Sequence, residues 1–162
     1  MLKFKIEQIA LFPPKSHEAI VMLIELGLAE WTMDQVDASG QVFGNPARNT
    51  AVLNFNYEAG SGNDSLAGRP LELEVLSYTE GEHWMEGRPH SVSHLGMHVT
   101  EAELDAFSDY FRMKGIHIAQ MVETRRHTNP VIVGKRTYKY VIFDTRRILG
   151  VDLKFIVRRD VV

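Results

Sequence analysis

The chain has 162 residues and not one of them is cysteine. That excludes disulfides, thiolate metal ligands and cysteine nucleophiles. No run approaches the roughly 18 apolar residues of a membrane span. The opening stretch, MLKFKIEQIALFPP, holds no uninterrupted apolar segment, so a secretory signal is not expected and a cytoplasmic setting is. An excess of positive charge is lacking too. The 18 Lys and Arg stand against 21 Asp and Glu, a net charge of −3, which disfavours generic nucleic-acid binding. A nucleotide fingerprint is also missing, because the GSG at 60–62 sits in a polar loop with no helix after it.

What is present suits one globular domain, or two small halves sharing a core. Residues 3–12 (KFKIEQIALF) read as a strand ending at Pro13-Pro14. Ser16 is the expected N-cap of a helix whose apolar residues Ala19, Ile20, Leu23, Ile24 and Leu26 run to Gly27. Strand-like segments follow at 29–38, 50–57 and 71–78, with a polar, Gly-rich loop (EAGSGNDSLAGRP) before the last. The order then starts again. SVSHLGMHV at 91–99 alternates strictly, and Thr100 with Glu103 forms a capping box. Leu104, Phe107 and Phe111 mark the buried stripe of a helix ending at Gly115, and strands are expected near 116–124, 137–143 and 150–158.

Both halves therefore read strand–helix–strand–strand–strand, and they align. KIEQIALF lies on SVSHLGMH and LELEVLSY on VDLKFIVR, placing Gln8 on His94 and Glu74 on Lys154, at offsets of 86 and 80. A tandem duplication follows, with modules at 1–80 and 91–162 and a linker at 81–90. Period two fixes the faces. Ile9 and Leu11, Leu95 and Met97, Leu73 and Val75, and Leu153 and Phe155 share the apolar face that each helix covers. Gln8, Glu74, His94 and Lys154 take the opposite face, which two such sheets would turn into a shared cleft.

This arrangement resembles the vicinal oxygen chelate superfamily, which includes glyoxalase I, extradiol dioxygenases, methylmalonyl-CoA epimerase and bleomycin resistance proteins. SHLGMHV, LELEVLSYTEG and FDTRRILGVDLKFIV carry the resemblance. It implies an α+β fold of two βαβββ modules around a cleft-bearing, incompletely closed β-barrel, and a homodimer. It also implies a metal site held by the first and fourth strands, here Gln8, Glu74 and His94 with a divalent Zn, Ni, Co, Mn or Fe, and Glu74 as the candidate catalytic base. Lys154 stands where a fourth carboxylate ligand is expected, bringing a cation towards a cation site. Two His and one carboxylate would suit ring-cleaving iron chemistry, and the alignment supplies one His, so a dioxygenase is disfavoured. His98 lies roughly 13 Å along the strand from His94, too far to complete the set.

Charge is unevenly spread. Residues 72–86 carry five Glu and no Lys or Arg, whereas 125–158 carry nine Lys or Arg against Asp144 and Asp152. Arg125 and Arg126, in the loop TRRHTNPVIVGKR, are candidates to clamp an anionic substrate. Lys154, His98 and Trp84 are the other substrate-binding candidates, Trp84 as an apolar lid or a pin for the linker. The leading expectation is a glyoxalase-like lyase or isomerase using a cleft metal. The alternative is a metal-free protein that sequesters an antibiotic-type small molecule because Lys154 has ended metal binding.

Overall fold

The computed structural model describes residues 2–60 and 70–161. Within them the elements run β1 (Gln8–Phe12), α1 (Ser16–Glu25), β2 (Thr32–Val42), β3 (Asn45–Asn56), β4 (Glu72–Gly81), β5 (Ser91–His98), α2 (Glu101–Met113), β6 (Ile118–Arg126), β7 (Arg136–Phe143), α3 (Arg146–Leu149) and β8 (Asp152–Asp160). The Gly-rich loop expected at 58–70, with Ser61 and Gly62 of the GSG, lies mostly outside the described residues. No described helix is long and apolar enough to cross a membrane.

Each half has the same strand order, β1-β4-β3-β2 in the first and β5-β8-β7-β6 in the second. The first and fourth strands of each half pair in parallel and the other neighbours are antiparallel. The α+β, glyoxalase-like architecture is the one expected, but the barrel goes further than incomplete closure. β1 pairs with β5 on one side and β2 pairs with β6 on the other, so the eight strands form a closed barrel. The cause lies in residues 39–49, to which the sequence pattern assigned no strand. There β2 and β3 continue as a long hairpin around Phe43 (φ 45°) and Gly44 (φ 79°), the left-handed pair that a tight primed turn requires. The extended part of β2, Asp37–Val42, is the part that meets β6.

Two apolar clusters form. Val36, Leu53, Leu76, Trp84, Val122 and Ile142 fill the lower barrel. Outside it, Leu104, Phe107 and Phe111 of α2 pack on Phe143 of β7 and Phe155 of β8, with Phe111 and Phe143 ring centres 4.4 Å apart. The capping box of α2 forms as expected, Glu103 N–H to Thr100 Oγ1 at 3.2 Å and Thr100 N–H to Glu103 Oε2 at 2.8 Å. The start of α1 differs. Lys15, not Ser16, is its N-cap, without a side-chain capping bond. Its stripe is also less covered: Ala19, Ile20 and Leu23 are half-buried, while Ile24 and Leu26 are exposed. The apolar residues of α1 surround the helix, and among the described elements β4 makes the main contact with it, so part of the stripe stays exposed.

Closure depends on a close approach at Gly40, where a Cβ would meet the Met121 carbonyl oxygen at 2.1 Å. Gly40→Ala is therefore expected to cost about 1–3 kcal/mol by overpacking the β2–β6 seam. In a chain of this size that lowers the melting temperature by roughly 2–4 °C per kcal/mol, measurable by thermal denaturation.

Candidate functional site

Register assembles the interior. Across β4, β1, β5 and β8, one lateral row reads Glu72, Gln8, Gly96, Lys154, and the next reads Glu74, Ala10, His94, Asp152. Side chains two apart point the same way, so both rows face the barrel lumen. Gly96 makes room for its neighbour: a Cβ there would lie 2.9 Å from both Cβ and Oε1 of Gln8. The Gln8 side chain uses that space to reach His94 and the carboxylates.

The hydrogen bonds form one directed chain. Ser93 O–H donates to His94 Nδ1 at 2.9 Å, and His94 Nε2–H donates to Gln8 Oε1 at 2.8 Å. The Gln8 amide nitrogen donates to Glu74 Oε2 at 3.0 Å and also to Glu72 Oε1. Lys154 Nζ donates to Glu74 Oε2 at 3.4 Å and sits 4.6 Å from the centre of the Tyr140 ring. The two carboxylates require donors from Gln8, which turns Oε1 towards His94 and fixes the imidazole tautomer. Burial, with Lys154 and Arg146 nearby, holds the His94 pKa well below its usual value, so the ring is neutral. Glu74 is 0% exposed, and among the described residues its Oε1 has no hydrogen-bond partner, His94 Nε2 lying 3.9 Å away.

Above this floor opens a cavity of about 300 Å³ at the barrel mouth. Phe55, Tyr57, Tyr138 and Tyr140 supply aromatic walls, the last two stacked with centres 5.9 Å apart. Glu72 lies half-buried at its edge; burial first, then the charge of Glu74, raise its pKa, with Gln8, Tyr57 and Lys154 partly opposing. Residues 127–135 form another wall, fastened by Asp34. Asp34 Oδ1 accepts the N–H groups of Thr128 (2.9 Å) and Asn129 (3.0 Å), and Oδ2 meets His127 Nδ1 at 2.6 Å. Burial alone would raise the Asp34 pKa, but His127 and those two N–H groups bring it below the ordinary value. Beneath the floor is a void of about 30 Å³ bordered by His94, Trp84 and Gln120.

Four of the residues expected from sequence, Gln8, Glu74, His94 and Lys154, therefore meet. His98 also lines the cavity, with Glu7 Oε2 accepting its N–H at 2.7 Å. Trp84 is no lid over the mouth. It is 1% exposed in the lower barrel, where its Nε1–H donates to Asp152 at 2.9 Å and so pins the linker. Arg125 and Arg126 line no part of the cavity. β6 runs through both as exposed strand residues, Arg125 reaching Ser39, and only from His127 does the chain turn over the mouth. Glu72, which the alternation places with Glu74 on the polar face, joins the site without having been a candidate, as do Tyr138 and Tyr140, whose alternation in TYKY puts them on one side of β7.

The donor set does not fit a divalent ion. His94 Nε2 and the Gln8 oxygen are bonded to one another, and above all an ammonium occupies the fourth position, on Glu74. A metal there would have to displace a like charge at contact range. Among the described residues, no group of three or more His, Asp or Glu is arranged to hold one.

Breaking the buried pair exposes its cost. Lys154→Met should lower stability by about 3–5 kcal/mol, because it removes one partner of a buried ion pair and leaves the Glu74 carboxyl without its counter-ion. Adding Glu74→Gln should restore a large part, a double-mutant cycle in urea being the measurement. Glu72 gives a pH signature. Its folded pKa lies above the unfolded value, so the folded state binds more protons in that window, and its contribution is present at low pH and lost as pH rises. Glu72→Gln is expected to stabilise the protein more at about pH 8 than at about pH 4, read from unfolding free energies at both.

No protein-family profile and no curated protein sequence matches the chain. Solved structures do. A methylmalonyl-CoA epimerase superposes at 14% identity over 97% of each chain, with a TM-score of 0.50. A methylmalonyl-CoA epimerase of Streptomyces coelicolor matches at 15% identity over 94% of this chain and 96% of its own, TM-score 0.48. That of Mycobacterium tuberculosis matches at 13% over 97% and 92%, TM-score 0.47. At such identities the likeness is one of architecture, and it agrees with the strand order and the paired modules: the chain has the vicinal oxygen chelate fold.

Proposed function

We propose that the barrel mouth is a metal-independent small-molecule site, and that the position where relatives of this fold are expected to hold a metal has become an ion pair. The observation that carries the reading is the contact of Lys154 with Glu74, in a floor where Gln8 and His94 already satisfy one another. The cavity above it, about 300 Å³, is at the small end of ligand pockets and suits a compact ligand. Aromatic walls and a few convergent polar groups are the usual make-up of such a site. In this reading the protein binds and holds its ligand, and the cytoplasmic setting expected from the opening stretch and the homodimer implied by the resemblance belong to the same proposal.

A second reading rests on Glu72. A carboxyl with a raised pKa, open to the cavity and hydrogen-bonded to Gln8, is the kind of group that gives and takes a proton in general acid–base chemistry. That would make the mouth an isomerase-type site for proton transfer, with Glu72 in the role expected of Glu74, because Glu74 is committed to Lys154. Turnover of a bound ligand, abolished by Glu72→Gln, would favour this reading over sequestration.

Titration calorimetry with zinc, nickel, cobalt, manganese and ferrous ions is expected to give no stoichiometric binding to the wild-type chain. Lys154→Glu, which supplies the missing carboxylate and removes the ammonium, is expected to gain it. Stoichiometric metal binding by the wild type would overturn the proposal.

A further inference from the structure

The duplication contains its own control experiment. Glu72 and Asp152 are equivalent, each two residues before the inward-facing Glu74 or Lys154. Asp152 is compensated: its Oδ2 accepts from Arg88 at 2.6 Å, Arg146 at 3.3 Å and Trp84 at 2.9 Å. Among the described residues Glu72 has no Lys, Arg or His nitrogen within 4.0 Å. The other charges at the cavity are matched. Lys154 is held by Glu74 at 3.4 Å, Arg136 by Asp160 at 3.5 Å, and Asp34 by His127 at 2.6 Å. His98 faces Glu7 at 3.2 Å. Among the described residues the group left over is one carboxylate, at the edge of a chamber with aromatic walls.

We propose that this chamber selects a compact protonated amine, its nitrogen seated on Glu72 and its apolar part against Phe55, Tyr57 and Tyr138. The inference rests on the reading of the mouth as a small-molecule site and names the ligand's chemical class. A carboxylate supplies a charge-assisted hydrogen bond, and aromatic faces attract a cation through their quadrupoles. The ligand supplies the counter-charge that Asp152 receives from arginine and that no described residue brings within 4.0 Å of Glu72. Burial beside Glu74 disfavours an ionised Glu72 in the empty cavity, and an arriving ammonium reverses that. An anionic substrate, the class suggested by the basic stretch 125–158, would meet Glu72 unfavourably, and the two arginines meant to hold it lie elsewhere.

Three probes of similar size and different charge test this: benzylamine, benzyl alcohol and benzoate, titrated into the full chain at neutral pH. Benzylamine is expected to bind at least about tenfold more tightly than benzyl alcohol, with benzoate weakest. Glu72→Gln should remove the amine's advantage and leave benzyl alcohol within about twofold. If benzyl alcohol or benzoate equals benzylamine on the wild type, the amine assignment is wrong while the small-molecule site stands. If none of the three binds at millimolar concentration, both fall. The wild-type ranking decides without a variant, and a melting curve shows whether Glu72→Gln is folded.

Discussion

The polar floor of this barrel is arranged around the contact of an ammonium with a carboxylate. Lys154 and Glu74 are both buried, and either alone would carry a prohibitive desolvation cost. Together, with Tyr140 under the ammonium and Gln8 donating to the carboxylate, they can stay charged at the foot of the cavity. The rest follows in sequence. The carboxylates fix the direction of the Gln8 amide, the amide fixes the tautomer of His94, and the neutral imidazole accepts a hydrogen bond from Ser93 on its other nitrogen. Gly96 is part of the same constraint, because any side chain there would occupy the path Gln8 takes.

The pair also divides the lumen. Below it the barrel is an apolar plug around Trp84, tied through Asp152 to Arg88 and Arg146. Above it the walls are aromatic and acidic, and the segment held by Asp34 leans over the opening. The same ancestral strand pattern has thus been filled differently in its two copies, an acid with two arginines in one and an acid facing a cavity in the other. Scaffold and charge have separated. The architecture is that of the vicinal oxygen chelate fold, while the electrostatics at its centre are those of a buried ion pair.

The sequence made the scaffold readable because duplication gives every position a second witness. The match of Gln8 with His94 and of Glu74 with Lys154, combined with period two, put four side chains in one place, and they are in contact. The capping box of α2 was equally legible, since Thr100 and Glu103 bond within one turn. Less was visible where long-range pairing overrides local signals. Residues 39–49 contain Gly40, Gly44 and Pro46 and read as punctuation, yet they form the hairpin that closes the barrel, with Pro46 beyond the reach of β4. The arginines of 125–126 were misplaced for a similar reason, as β6 extends through them to meet β2. That Glu72 has no close counter-cation among the described residues could not be read at all, because it depends on where every neighbouring charge finds its partner.

Closure has a consequence for how the chain is made and kept. The seams join residues far apart in sequence, Gln8 with Gly96 and Asp37 with Arg126. Non-local pairings of this kind form late and slow folding. Until both are shut, the first half offers β1 and β2 as raw edges and the second offers β5 and β6, the sort of surface on which chains aggregate. The finished barrel has no such edge among its eight strands. Each copy of the module is thus the other's chaperone against misassembly, and a duplication closed in this way is hard to reverse: losing one half would leave the survivor with two sticky borders and half a site.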